Sequence, residues 1–190
     1  LIEPKIHNHV KIVKDVFGLE TEKINDGKRV PARRFASITI YKILKEFGLE
    51  KEKNKIKLSH TATEFSNNII SKILQGLFDT DGYTSDAKNG SAHIGISTIS
   101  MDLAKTVQLC LLKFGIHSKL RKRKKAGTTA VGKHISVTSR HDQYSIEIRG
   151  KENFEKFENE IGFRLERKKN SLRKIISSIQ TSRSNIDSIP

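Results

Sequence analysis

This sequence has a single cysteine and no tryptophan, and each shortage excludes a class of protein. One cysteine, Cys110, excludes an internal disulfide framework and a cysteine-based zinc site. Because it lies in the apolar run LCLLKFG, we predict a buried structural thiol rather than a nucleophile. Aromatic residues make up only 6% of the chain, which argues against a single-strand binder that stacks bases on aromatic rings.

Long apolar stretches are also missing. No segment approaches the length of a membrane span, and residues 1 to 9 lack the layout of a signal peptide. We therefore predict an intracellular protein, in the cytoplasm or nucleoid, with no membrane partner. At 190 residues the chain is long enough for one substantial domain or two small ones.

Basic residues are in large excess. Lysine and arginine number 36 against 21 aspartate and glutamate, a formal net charge of +15. Such an excess is typical of a protein that binds polyphosphate, and we interpret it as a nucleic-acid-binding surface. The alternative is a soluble surface that happens to be basic.

The stretch LQGLFDTDG, residues 74 to 82, runs two carboxylates into a glycine after an apolar helical segment. The helix macrodipole already puts partial negative charge at that end, so a positive group should lie there. A calcium loop of the EF-hand type is excluded, because its sixth and twelfth positions would be Thr84 and Gly90 instead of glycine and glutamate. A plain helix end with solvated aspartates remains the alternative.

Hydrophobic periodicity and capping signals predict an α/β chain. A capping box at residues 61 to 64 should begin the helix that ends in LQGLFDTDG, and Asn89 with Gly90 should form a turn. We predict helices over 6–17, 41–49, 61–78, 101–114, 151–161 and 166–180, and strands over 34–41, 82–88, 92–98, 117–125, 134–139 and 144–150.

The chain also resembles itself. VKDVFGLETEK (13–23) resembles CLLKFGIHSKL (110–120), ASITIY (36–41) resembles YSIEIR (144–149), and KEFGLEKEKNKIKL (45–58) resembles NEIGFRLERKKNSL (159–172). Three matches in the same order predict an internal duplication. We assign residues 1–60 to the C-terminal part of a first repeat, 61–182 to a complete second repeat, and 183–190 to a linker.

LQGLFDTDG resembles the LAGLIDADG, or dodecapeptide, motif of homing endonucleases, and KILQGLFDTDGYTS is closest to the intein-borne kind. GKENFEKFENEIGF resembles the last part of an intein endonuclease repeat. The resemblance implies a duplicated αββαββα unit with saddle-shaped antiparallel sheets, its first repeat here lacking the motif helix and first hairpin.

That family implies a site-specific endonuclease that cuts double-stranded DNA with Mg²⁺ or another divalent cation. With one motif, this chain alone is expected to be inactive or to nick, and to need a missing N-terminal fragment or a second chain. The alternatives are a cleavage-defective DNA-binding protein and an RNA-binding maturase. Splicing residues of an intein are not visible at either end.

By the same resemblance, Asp81 is the catalytic metal ligand and the carbonyl of Thr80 adds an oxygen. Asp79 and Gly76 serve the packing of paired motif helices, where Gln75 departs from the family's usual small residue. The family also places a catalytic lysine near the final segment of each repeat. The self-alignment offers Lys55, Lys168 and Lys169 for it, and each has a phosphate contact or a plain surface position as its alternative.

Six of the seven residues from Lys119 to Lys125 are basic. Alternation on a strand would direct Arg121 and Arg123 to one face and Lys122 and Lys124 to the other. Such a ribbon can lie in the major groove, reading bases with arginine and phosphates with lysine. A solvated loop is the alternative. The predicted DNA contacts are Lys119, Arg121, Lys122, Arg123, Lys124, Lys125, Lys133, Arg140 and Arg149, with Lys23, Lys28, Arg29, Arg33 and Arg34 for the other half-site.

Overall fold

The structure, a computed structural model, describes residues 5–25, 27, 32–46, 48–52, 55–85, 92–131 and 136–179. The chain divides into two compact units, Leu1–Ile43 and Leu44–Pro190. The repeat boundary that we assigned to residues 60 and 61 stays a prediction. Within the described residues, no helix is long and apolar enough to cross a membrane.

The first unit contains a helix, two short strands and the start of another helix. These are α1 (Lys5–Phe17), β1 (Glu22–Ile24), β2 (Ala32–Arg34) and α2 (Ile38–Glu46), which crosses the unit boundary. Helix α1 ends as predicted, because Gly18 has a φ of 64°, a left-handed conformation that glycine adopts at little cost. Strands β1 and β2 pair antiparallel. None of the described side chains before residue 44 is buried.

The strand predicted over residues 34 to 41 is wrong, because α2 begins at Ile38. Ser37 explains the difference. Its Oγ accepts a hydrogen bond from the backbone amide of Ile40 at 3.2 Å, and its carbonyl accepts one from the amide of Tyr41 at 3.1 Å. A serine that satisfies the open amides of a first helical turn favours a helix start more strongly than a short apolar alternation favours a strand.

The second unit is a four-stranded antiparallel sheet with helices packed against it, preceded by a hairpin. The elements of this unit are β3 (Leu49–Glu52), β4 (Lys55–Leu58), a 3₁₀ turn (His60–Glu64), α3 (Asn67–Thr80), β5 (Gly82–Ser85), β6 (His93–Thr98), α4 (Met101–Leu112), β7 (Ser118–Lys124), β8 (Thr129–Val131), β9 (Ser136–Thr138), β10 (Gln143–Ile148), α5 (Lys151–Glu160) and α6 (Glu166–Ser178). The strands of the sheet lie in the order β5-β6-β10-β7.

The start of α3 corrects the predicted capping box. Residues 60 to 64 form a 3₁₀ turn whose N-cap is Ser59, which accepts a hydrogen bond from the amide of Thr61 at 3.3 Å. Helix α3 begins only at Asn67. Thr61 thus lies inside a separate turn that Ser59 caps, and the N-cap of α3 is Ser66, whose side chain makes no capping hydrogen bond. Helices α4, α5 and α6 confirm the predicted helices, whereas the turn predicted at Asn89 and Gly90 lies outside the described residues.

One apolar core lies between the sheet and its helices. Alternate residues of the two central strands, such as Ile94 and Ile146, point into it and are fully buried. From α3 come Ile70, Leu74 and Phe78, at the spacing of one helical face. Cys110 is buried in α4 as predicted, and burial raises the pKa of its thiol to about 11.

The order helix, strand, strand, helix occurs as α1-β1-β2-α2, and α4, β7, β10 and α5 follow the same order with the short strands β8 and β9 inserted between β7 and β10. The aligned glycines support this correspondence, because Gly18 and Gly115 both have a φ of 64°, and Gly48 and Gly162 have φ of 69° and 61°. The match of residues 36–41 to 144–149 is wrong, because the first segment enters a helix and the second is strand β10. The duplication itself stays a prediction.

Candidate functional site

Helix α3 ends at Asp81 because the chain must turn at once into strand β5. The amide of Asp81 still donates to the carbonyl of Leu77 at 2.9 Å, and the residue keeps a nearly helical conformation. Gly82 follows with its backbone against that of Phe78, so a Cβ at this position would overlap the Phe78 carbonyl. The motif therefore needs glycine at residue 82 for a close backbone approach.

The positive group at the end of α3 is Lys168. Its Nζ donates to the carbonyl oxygens of Phe78 at 2.8 Å, Asp79 at 2.7 Å and Gly82 at 2.5 Å. The residue is 7% exposed, and its ammonium lies 5.8 Å from the centre of the Phe163 ring. An ammonium has three donors, and all three are used here. Lys168 thus links α6 to the end of α3 and satisfies the helix dipole from inside the protein.

Burial lowers the pKa of Lys168 below its ordinary value, although the charges of Asp79 and Asp81 act to raise it. Of the other lysines considered for catalysis, Lys169 lies on the next position of α6 and lines a surface cavity of about 720 Å³ with Lys72 and Arg173. Lys55 lies in strand β4, so it does not occupy the helical position that the self-alignment gave it.

Asp79 points away from the open end of the site. Its carboxylate accepts hydrogen bonds from the backbone amides of Arg164 at 3.0 Å and Leu165 at 3.4 Å, just before α6 begins. A carboxylate is stabilised at a helix N-terminus, because that end of the helix dipole is positive. Asp79 and Lys168 therefore tie α3 and α6 together in both directions.

Asp81 is the acid that remains available. It is exposed, and among the described residues its carboxylate takes part in no hydrogen bond or ion pair. The Oγ of Thr80 donates to the carbonyls of Gly76 and Leu77, both at 3.1 Å. Because Thr80 is the last residue of α3, its own carbonyl has no partner within the helix and is a further oxygen. In the part of the chain that the structure describes, no three His, Cys, Asp or Glu side chains form a metal-binding group.

These residues fit part of a magnesium site. Mg²⁺ is commonly held by one or two carboxylates, with water and substrate phosphate completing the shell. Asp81 offers one such carboxylate on an open side, and the Thr80 carbonyl adds an oxygen of the kind this hard cation prefers.

One face of α3 is open. Gly76 is exposed, and a Cβ built on it would meet no described atom within 4 Å. Ile69, two turns earlier on the same face, is 42% exposed. Gln75, the departure from the family pattern, points elsewhere, because its Nε2 donates to the carbonyl of Ile161 at 2.6 Å. That bond satisfies a carbonyl at the end of α5, a task that a small residue could not perform.

The basic run lies on strand β7 and obeys the predicted alternation. Arg121 and Arg123 both reach the carboxylate of Glu147, at 3.8 and 3.2 Å. Lys122 points the other way and pairs with Asp142 at 2.5 Å. That hydrogen bond raises the pKa of Lys122 and lowers the pKa of Asp142. Lys119, Lys124 and Lys125 are exposed.

Sequence reasoning missed Glu147, although a signal was present. In YSIEIR, Ile146 and Ile148 point into the core, so Glu147 must point to the opposite face of the sheet, where Lys119 lies directly across on β7 and Arg121 diagonally across. Arg149 joins the group, because its Nη2 donates to Glu147 at 2.8 Å.

The remaining predicted DNA contacts are dispersed. Lys23 lies opposite Arg33 on the β1–β2 ribbon, and Arg34 pairs with Glu22 at 3.1 Å. Arg140 is exposed just before β10. Lys28, Arg29 and Lys133 lie outside the described residues.

The sheet, the helices on one of its faces and the acid-ended helix α3 define an α/β protein with the homing-endonuclease fold. The structure is similar to that of a single-residue variant of the homing endonuclease I-DmoI, solved in complex with its target DNA in the presence of magnesium. The TM-score is 0.56 at 16% identity, over 85% of this chain and 74% of that one. Residues 68–162 match the LAGLIDADG-like domain, and the chain belongs to that family.

Two relatives are proteins of Methanocaldococcus jannaschii. The chain is 27% identical over 190 residues to a probable translation initiation factor IF-2, which covers 95% of this chain. It is 34% identical over 110 residues to the ATP-dependent DNA helicase Hel308, which covers 57% of this chain. The match spans only 15% of the first relative's length and 9% of the second's.

Proposed function

We propose that this chain is a site-specific endonuclease domain of the homing type, which hydrolyses phosphodiester bonds of double-stranded DNA with a divalent cation. The observation that carries the proposal is the difference in contacts among the charged side chains at the end of α3. Lys168 and Asp79 are fully engaged in holding the helix end, whereas Asp81 is exposed and outside every described polar contact. An acid held in place but left free is what a metal ligand requires.

Duplex DNA is the partner that the charge favours. The basic face formed by Lys119, Arg121, Arg123 and Arg149 belongs to the same sheet as β5, the strand that begins directly after Asp81. A phosphate backbone lying on that face would pass near the carboxylate. Lys119 would contact phosphates, and the arginines base edges.

Asp81, the Thr80 carbonyl and water would hold the Mg²⁺ together with a DNA phosphate. When bound, such a cation stabilises the charge that develops on the phosphate and promotes attack by water. Asp81 orients the cation, and the Lys168 link fixes the helix end that carries Asp81. Lys169 and Lys55 are proposed only as phosphate contacts.

The relatives support an origin as an inserted element of the intein kind. A translation factor and a helicase each contain a segment similar to this chain, which matches only a small part of their lengths. A segment that recurs inside otherwise different proteins is what an inserted element would leave. In this sequence the acid-bearing motif occurs once, so we propose that one chain cuts one strand and that a second motif is needed for the other.

A nicking assay tests the proposal. The chain is incubated in excess with supercoiled plasmids that carry a randomised insert, with Mg²⁺ and with EDTA. We expect Mg²⁺-dependent nicked circles, and an Asp81→Asn variant should lose at least a hundredfold in rate while its melting temperature and duplex affinity stay the same. Asp15→Asn, an exposed aspartate of α1, is the matched control and should nick normally. Unchanged nicking by the Asp81→Asn variant would contradict the role of Asp81.

A DNA-binding protein without cleavage is the second candidate, and one observation favours it. The described residues offer a single free carboxylate at the site, where cleavage of both strands would need two such sites. Tight duplex binding by the wild type with no nicking in Mg²⁺ or Mn²⁺ would establish it.

A further inference from the structure

Glu147 is an anomaly on a face that is otherwise basic. It lies on β10 in the middle of the sheet, and its side chain is 2% exposed although it points away from the apolar core. Arg149, Arg123 and Arg121 surround its carboxylate at 2.8, 3.2 and 3.8 Å, and the Oγ of Ser145 donates to it at 3.3 Å. Each arginine keeps between 38% and 48% of its side chain exposed.

A second contact, from Tyr83, restrains one of these arginines. Tyr83 of β5 lies across β6 over Gly95, and a Cβ at residue 95 would overlap its ring. The ring also packs edge-on against His93, with centroids 5.6 Å apart. From there the Tyr83 hydroxyl accepts a hydrogen bond from Nη2 of Arg123 at 3.4 Å. Arg123 is therefore restrained by a carboxylate and a phenol together.

The acid is ionised in this setting. Burial would raise the pKa of Glu147, but the hydrogen bond from Arg149 and the charges of Arg149, His93 and Arg123 lower it below its ordinary value. One negative charge beside three positive ones weakens attraction for the phosphate backbone, which is the main source of non-specific affinity. A surface selected for affinity alone would have no acid here.

We propose that Glu147 is a positioning residue that determines specificity by fixing the guanidinium groups of Arg121, Arg123 and Arg149 for base recognition. The inference rests on the proposed function, since it concerns how the same sheet reads duplex DNA. Specific contact by arginine is bidentate, with two donors directed at the O6 and N7 atoms of one guanine. Such a fork discriminates between bases only when its plane is held, and free arginines would turn to the nearest phosphate.

The test measures specificity apart from affinity. Wild-type chain selects duplexes from a pool with a randomised 30-base-pair segment, and the ratio of its affinity for the best selected site to its affinity for an unselected duplex is determined. In Glu147→Gln, which keeps the shape of the side chain and removes its charge, we expect this ratio to fall about tenfold or more. Affinity for the unselected duplex should stay equal or rise.

Two controls separate positioning from charge and from folding. Glu158→Gln removes the same charge from an ion pair with Arg173 on the helices, and its ratio should match the wild type. Tyr83→Phe removes only the hydroxyl at Arg123, and we expect it to relax preference at a few adjacent base pairs. Tyr144→Phe removes a hydroxyl that bonds Asp142 instead and should relax none.

The outcomes are distinct. A folded Glu147→Gln variant whose ratio stays within twofold of the wild type overturns the inference and leaves the proposed function standing. If that variant does not fold, Tyr83→Phe decides: relaxed preference supports the inference and unchanged preference overturns it. If the wild type selects no sequence from the pool, the proposed function fails and the inference with it.

Discussion

The first unit has the order helix, strand, strand, helix, and the second contains it with two further short strands, but among the described residues only the second unit has an apolar core. In the first unit every described side chain is at least partly exposed, including Phe17 at 47% and Ile38 at 76%. In the second unit α4, β10 and α5 bury Leu111, Ile146 and Phe154. The second unit also contains α3, β5 and β6, which add a helix and two of the four strands of its sheet. A four-element unit of this kind does not enclose an apolar core by itself.

The ribbons of the two units differ in the same way. In the first, Glu22 pairs with Arg34 on the surface, where the carboxylate side chain is 73% exposed. In the second, Glu147 is almost fully buried among three arginines. An exposed pair of this kind contributes little to stability, whereas a buried acid fixes its partners. Among the described residues, only the pair of strands β7 and β10, here called the second ribbon, holds its cations around a buried acid.

The largest expected effect concerns the core. Phe78 is fully buried on α3, with its ring centroid 5.0 Å from that of Phe157. Phe78→Ala should lower the free energy of unfolding by about 3–5 kcal/mol, because it removes a large buried ring and leaves a cavity. Phe17→Ala, the same change in the first unit, should lower it by about 0.5 kcal/mol or less. Urea denaturation followed by circular dichroism measures both. Equal effects would mean that the first unit has a core of its own.

A smaller effect is expected from the lysine that joins α3 to α6. Lys168→Met keeps the length of the side chain and leaves three carbonyls without their donor, so it should lower the free energy of unfolding by about 1–3 kcal/mol. Lys169→Met, on the neighbouring position of the same helix, is the control and should change it by about 0.5 kcal/mol or less. If both variants unfold at the same urea concentration as the wild type, Lys168 does not stabilise the helix end.

The smallest effect compares the two ribbons on DNA. A lysine that contacts a phosphate adds roughly 0.9 to the slope of log K against log salt. Lys119→Ala in the second unit and Lys23→Ala in the first should therefore each reduce that slope by about this amount, if both ribbons lie on the duplex. Fluorescence anisotropy with an unselected duplex between 50 and 200 mM salt, roughly the range in which such slopes are measured, gives the values. A change in the Lys119→Ala variant alone would assign binding to the second ribbon.

Local patterns predicted much of this molecule, and distant contacts explain what they missed. The acid pair at the end of a buried helix and the alternation of Arg121 and Lys122 follow from neighbouring residues alone. Lys168 could not be predicted in the same way, because it reaches Phe78 from ninety residues later in the chain. The start of α2 was missed for another reason, since a capping serine outweighs a short alternating run. The orientation of Glu147 away from the core could have been predicted once Ile146 and Ile148 had been placed in the core.

The link from Lys168 to α3 has a consequence for the history of such a chain. The helix end is stabilised by an internal ammonium and by Asp79, so the fold does not depend on the residue proposed to bind the cation. Mutation at residue 81 would then remove cleavage without exposing the protein to misfolding or degradation. Selection on stability would not detect that loss, and descendants that had stopped cutting DNA would persist as intact, well-folded proteins.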